Sequence, residues 1–246
     1  MNTPKNALRT LLFAGLASSI FTPAIAQADY YGPVTYRITV QNLTAGQAFT
    51  PPVIALHNRR ANVFAVGSPA NDGVIAIAEN GNLEPLITAL SGSPDVYSLV
   101  QGNAPVVPAA NPGGTPFTDS VTFEVTTDRR ARFLSFVSML ICTNDGFTGL
   151  NTVRLPYRKK TFLAASYETR TEQNTEDFAD IVPPCQGLIG VGSDDTGTGE
   201  SNPLLTENGV IIPHAGIIGD NDLNRRVHDW ADPVARIVVE RVRNRH

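Results

Sequence analysis

From Val34 the chain reads VTYRITVQ, with Val34, Tyr36, Ile38 and Val40 at one parity and Thr35, Arg37, Thr39 and Gln41 at the other. A period of two gathers the apolar groups on one side of an extended strand, which predicts a half-buried β-strand. Residues 42–46, NLTAG, break the pattern. Pro51-Pro52 then leads into VIALHN, apolar at both parities, the signature of a strand covered on both faces. Alternation returns at Val121, Phe123 and Val125, and RFLSFVSMLIC, ending at Cys142, suits a central strand followed at once by a turn, TNDGFTG. KTFLAASYE is the next strand candidate. In the C-terminal DPVARIVVERV, Ala235, Ile237 and Val239 oppose Arg236, Val238 and Glu240.

One stretch departs from the period of two. In PANDGVIAIAENGNLEPLITALSG, Val74, Ile77 and Ala78 recur at helical spacing, Asn80-Gly81 resembles a helix stop and Pro85 an opening, so one or two short helices are expected. Residues 101–118 are too rich in Pro, Gly and Asn for regular structure, and the Gly-, Ser- and Asp-rich residues 187–209 read as an exposed insertion. No internal repeat is visible. The expected fold is all-β, an antiparallel β-sandwich with one or two short helices and long loops.

The first residues, MNTPKNALRTLLFAGLASSIFTPAIAQA, combine Lys5 and Arg9 with an apolar run from Leu11 to Ile20 and the small-residue sequence Ala24-Ile25-Ala26. This reads as a signal peptide over residues 1–26, leaving one domain over 27–246 that is exported to the periplasm, the cell surface or the medium. No later segment approaches the length of a membrane-spanning helix. Its removal leaves 17 Lys+Arg against 23 Asp+Glu, a net charge of −6, which argues against nucleic acid as a partner. In an oxidising compartment Cys142 and Cys185 are expected to form one disulfide, two separate buried thiols being the alternative.

Enzyme signatures are mostly lacking: the chain has no G-x-S-x-G, H-E-x-x-H or Walker loop, and His57, His214 and His228 are scattered. The acidic residues point elsewhere. ASYETRTEQNTEDF places Glu168, Glu172 and Glu176 four apart, on one face of a helix or a strand, where like charges repel unless solvent or a cation compensates. Calcium takes six to eight oxygens and neutralises clustered carboxylates. Three places compete for it. Asp220-Asn-Asp222-Leu-Asn224 begins like an EF-hand loop, but Arg225 and Ala231 stand at its glycine and glutamate positions, so it reads as a polar turn. Asp194, Asp195 and Glu200 lie on the insertion, which would have to be ordered on binding. Asp145, three residues after Cys142, can converge with Glu168 and Glu172 at one end of the sandwich if their strands are neighbours; a solvated acidic face is the alternative.

Four pieces in order, YRITVQNLTAGQAFTPPVIALHN, FLSFVSMLICTNDGFTGL, SYETRTEQNTE and HDWADPVARIVVERV, resemble the spondin domain of extracellular and bacterial exported proteins. The resemblance spans nearly all of residues 27–246. It implies a β-sandwich with a calcium ion at one end, held by a turn aspartate and two acids four apart in a D-A-G-T-[DE] segment. In this sequence those positions fall on Asp145, Glu168 and Glu172, with Glu176 outside the ligand set. Glutamate replaces the first acid of the segment, and Arg170 stands at its glycine.

The function so implied is that of a non-enzymatic, calcium-binding adhesion or binding module, whose partner is a surface or matrix ligand, a protein or an acidic glycan. A structural sandwich without a partner and a sandwich-fold hydrolase are the rival expectations. Arg158-Lys159-Lys160 and the Arg241, Arg243, Arg245 tail are candidates to touch acidic glycans or lipid head groups, the alternative being a solvated surface. Tyr36 and Trp230 are expected in the core.

Overall fold

A computed structural model describes residues 32–242, so the expected signal peptide lies outside the described residues. The alternating first strand, β1 (Val34–Asn42), lies at the centre of a four-stranded antiparallel sheet with β4 (Ser120–Thr127), β10 (Ala235–Arg241) and β7 (Lys159–Ala164), in the order β4-β1-β10-β7. Its apolar parity faces inward: Ile38 and Val40 are fully buried beside Ile237 and Val239 of β10. Its polar parity faces outward, where Thr35 and Thr39 bond Thr126 and Thr122 of the neighbouring strand. Period-two patterning thus translates directly into a sheet with one wet face.

The second sheet has six strands in the order β3 (Val96–Gln101), β2 (Val53–His57), β5 (Phe133–Met139), β6 (Gly146–Arg154), β8 (Ser166–Glu168), β9 (Ile212–Pro213). Here both faces are covered, as the double-parity apolar run of β2 requires. Ile54 and Leu56 pack toward the four-stranded sheet, whereas Val53 and Ala55 join a separate core beneath two helices, α1 (Asp72–Asn80) and α2 (Glu84–Ser91). Burying each such side chain contributes about 1.5–3 kcal/mol, so two cores on one sheet explain why β2 and β5 tolerate almost no polar positions. Ser135 and Ser138 are the exceptions on β5, and both are hydrogen-bonded.

The helices form as the spacing predicts. Asn71 caps α1 by accepting from the Val74 N–H, and Gly81 ends it at φ 64°, a left-handed conformation that glycine adopts without cost. Four further short elements follow: α3 (Pro184–Ile189), a 3₁₀ turn (Pro203–Leu205), β9, and α4 (Arg225–His228). Three strands, β3, β6 and the two-residue β9, went unpredicted. β6 follows the 143–146 turn directly, and β3 has six residues without strict alternation. The KTFLAASYE run is split between the sheets, β7 in one and β8 in the other. Tyr36 is buried as expected, and Trp230 packs against both cores while its indole N–H donates to Ser166.

Candidate metal centre

The end of the sandwich that follows β5 collects buried carboxylates. After β5 the chain makes a tight turn: the Thr143 hydroxyl donates to the Leu140 carbonyl and accepts the Gly146 N–H. A side chain at Gly146 would meet Thr143 Oγ1 at 2.4 Å, so only glycine lets β6 start here. This turn points Asp145 inward, with no exposed surface.

Across from it, β8 pairs with β6 in the register Gly146↔Glu168 and ends there. The next residues curl around the aspartate. Asp145 Oδ2 accepts from Thr169 Oγ1 at 3.0 Å, the Thr171 N–H at 2.9 Å and the Glu172 N–H at 3.3 Å. The curl requires Arg170 at φ 58°, in the left-handed region where glycine is at ease. Its guanidinium turns outward to Glu207, 2.9 Å away. The four-residue spacing of the glutamates therefore expresses neither a helix nor a strand face but a turn that wraps Asp145.

Asp145 Oδ1 has no hydrogen-bond partner although it is fully buried. A buried carboxylate oxygen left bare is costly, by several kcal/mol where the charge stays uncompensated. Burial raises the Asp145 carboxyl from 3.8 to about 6, against the pull of the Thr171 and Glu172 N–H groups and the Thr169 hydroxyl, and the Glu168 charge adds to the rise. Glu168, 3% exposed, is also raised by burial, while the Asn174 amide donating to Oε2 at 2.6 Å lowers it. Burial lifts Glu172 from 4.5 to about 7; the Asn202 N–H at 2.6 Å opposes this, and the charges of Glu79, Asp145 and Asp180 reinforce it.

A strap formed by residues 201–209 closes over Glu172. Gln173 N–H donates to the Leu205 carbonyl, Glu207 N–H to Thr171 and Gly209 N–H to Arg170. Ser201 bonds Glu79, and the Asn202 amide bonds Asp180 at 3.0 Å. The 187–209 segment has no buried residue from 192 onward, as expected of an exposed insertion, yet its second half docks on the acidic end through backbone hydrogen bonds and the Asn202 N–H on Glu172. Sequence reading missed Glu79, Asp180 and Asn202; the Asn202-Pro203 step, which caps the 3₁₀ turn, was the one local signal for an ordered strap.

Glu176 has hydrogen-bond partners of its own. Its carboxylate accepts the Ile218 and Gly219 N–H groups at 2.5 and 2.7 Å and so holds the 216–219 loop. Cys142 and Cys185 form the disulfide, 43 residues apart, which fastens the β5–β6 turn to α3. Each of the three candidate ligands is therefore buried on one of two adjoining turns. They are not drawn into a single ligand set, however. Among the described residues, the one acidic group that brings a carboxylate oxygen from each of three residues within 4.8 Å of one another is Asp177, Asp195 and Asp222. That trio joins the other two acidic loops of the sequence, and Asp195 and Asp222 are exposed.

The histidines are bound into the fold. His57 is fully buried; its Nδ1 meets the Asn58 carbonyl at 2.6 Å and its Nε2 meets Ser135 Oγ at 2.9 Å, with no carboxylate on the ring. His214 accepts the Gly216 N–H at Nδ1 and lies edge-on to Trp230, and burial pushes it down to about 4. His228 accepts the Asn224 N–H in the same way. Compared with models of known protein families the chain finds no match, and no curated protein matches it.

Proposed function

We propose that this protein is an exported, calcium-binding, non-enzymatic binding or adhesion module of the spondin type. The observation that carries the metal reading is Asp145 Oδ1, a buried and unpartnered carboxylate oxygen between two other buried acids. The donor set suits a hard cation: Asp145, Glu168 and Glu172 supply oxygen only, and all three carboxyls are raised by burial that a divalent charge would offset. When bound, calcium would supply positive charge directly at the buried carboxylates.

The chain's own part is to hold the oxygens. The Thr171 and Glu172 N–H groups fix Asp145 by one oxygen and leave the other clear. Glu172 Oε1 accepts the Asn202 N–H, so the strap holds the carboxylate that would take the ion. The disulfide keeps the Asp145 turn in place and accords with an oxidising compartment, as the signal-like N-terminal sequence does. Fixed loops at the end of a sandwich commonly present binding surfaces.

A second reading places the ion at Asp177, Asp195 and Asp222, whose oxygens already lie within reach of one another. Thermal melts with and without calcium separate the two. Stabilisation by calcium that disappears in Glu172→Gln and persists in Asp195→Asn supports the buried site; the reverse pattern moves the ion to the exposed trio, and no stabilisation in any variant removes the metal from the account.

A further inference from the structure

The opposite end of the sandwich carries the complementary charge. Of the fifteen lysines and arginines in residues 32–242, ten lie there. Arg59 and Arg60 follow β2, and Arg129, Arg130 and Arg132 occupy the β4–β5 connection. Arg154 ends β6, Arg158 precedes β7, Lys159 and Lys160 open it, and Arg241 closes β10. Strand registers place these positions side by side: His57 pairs with Phe133, Phe133 with Arg154, Glu240 with Lys159 and Tyr36 with Arg241.

Backbone bonds close the group further. The Arg132 N–H donates to the His57 carbonyl, the Leu155 N–H to Arg132 and the Arg241 N–H to Arg158. The cluster bridges the two sheets, since Tyr36 of β1 feels the guanidiniums of Arg241, Arg132 and Arg129 together; burial pushes its phenol up and they pull against it. All but Arg241 of the ten are exposed, and Arg241 is half-buried. Arg130 pairs with Asp128 and lies over the Tyr97 ring. Among the described residues, none of Arg59, Arg132, Arg154, Arg158 and Lys159 is in an ion pair.

Such a concentration stands out in a chain with a net charge of −4. Like charges gathered on a surface oppose folding unless a counter-charge meets them, and eight of the ten are arginine, whose planar fork matches carboxylate, sulfate and phosphate groups two bonds at a time. Strands about 4.8 Å apart make the row of four strand ends roughly 15 Å wide, a length suited to several successive anions of a polymer. A bilayer ligand would call for apolar wedges beside the charges, and the patch exposes one large aromatic side chain, Tyr157.

We infer that the arginine-rich end is a docking surface for an acidic polysaccharide. It holds whether or not calcium binds at the other end, and its test is run in chelator so that the two readings fail separately. Heparin is the probe, titrated calorimetrically into the purified protein at low and at physiological salt. Saturable binding that weakens with salt is expected. Arg132→Gln, Arg154→Gln and Arg158→Gln combined lower the affinity roughly tenfold or more, and the log–log salt slope falls by about one per arginine removed.

A second set, Arg59→Gln, Arg60→Gln and Lys159→Gln, on different strand ends, gives the same loss with an unchanged melt. Arg225→Gln with Arg226→Gln, at the acidic end, leaves binding intact. No binding, or binding indifferent to both sets, overturns the inference. Equal binding to phosphatidylglycerol vesicles reassigns the surface to lipid and overturns it too, as does salt-dependent self-association that the arginine variants abolish while heparin has no effect.

Discussion

The same strands end in two opposite ways. At the acidic end the charges turn inward: Asp145, Glu168 and Glu172 are 0, 3 and 3% exposed and accept hydrogen bonds from backbone or amide N–H groups. At the arginine end they turn outward into water, and among the described residues Arg59, Arg132, Arg154, Arg158 and Lys159 are in no ion pair. Water and salt screen exposed like charges, salt over a Debye length of about 10 Å at 0.1 M, so the arginines cost the fold less than buried charges would and face a ligand from outside. Carboxylates out of water have no such relief, so the acidic end stores a cost that an ion inside the protein would remove. One end is built to enclose its counter-charge and the other to find it.

Breaking the covalent tie of the acidic end has the largest expected effect. Cys142→Ser with Cys185→Ser opens a 43-residue separation and costs about 4 kcal/mol by loop entropy, read as a lower denaturation midpoint. No comparable tie exists at the arginine end, where no single substitution should approach this.

The buried acids come next, and their sign is unusual. Both Asp145 and Glu172 have folded values above their unfolded ones, 3.8 to about 6 and 4.5 to about 7. Stability from them is therefore fully present below about pH 4 and is lost as pH rises through 6 and 7, about 3 kcal/mol for Asp145. Calcium-free protein should melt higher near pH 5 than near pH 8, and calcium should flatten that slope. Asp145→Asn should raise the melting temperature of the calcium-free protein at pH 8 while removing the response to calcium. A calcium-free stability that grows from pH 5 to pH 8 would contradict the cost assigned to these carboxylates.

Glu176→Gln should cost about 2 kcal/mol, because an amide can accept only one of the Ile218 and Gly219 N–H groups and leaves the other unpaired. Calcium response should survive it, which separates a carboxylate that holds a loop from those proposed to hold an ion. At the arginine end Arg154→Gln should change stability by less than about 0.5 kcal/mol in a thermal melt, as for surface positions generally.

Much of the scaffold was legible because period-two patterning and burial are the same fact seen twice. The alternation of β1, the double-parity run of β2 and the Asn80-Gly81 stop each reappear as a face or a cap. β6 was hidden because Gly146, Thr148 and Gly149 read as turn residues, yet Gly149 is needed where a side chain would strike the Phe136 carbonyl at 2.7 Å. The disulfide was legible from an even cysteine count.

At the acidic end the three residues could be named but not their arrangement. Periodicity suggested a shared face, whereas the chain turns through a left-handed Arg170 to wrap Asp145, and no run of apolar and polar positions marks that conformation. The strap was lost to composition: Gly, Ser and Asp suggested solvent, but Asn202 contributes through its backbone N–H, which every residue but proline possesses. The arginine end was invisible as a unit because its members come from four separate stretches of chain that only the registers bring together.

A calorimetric calcium titration of the oxidised protein at neutral pH, run beside Asp145→Asn and Glu172→Gln, probes the acidic end itself. One saturable site is expected in the parent and none in either variant. Binding that both substitutions leave unchanged, or no binding up to millimolar calcium, would contradict the calcium reading and leave the buried carboxylates without the counter-ion proposed for them.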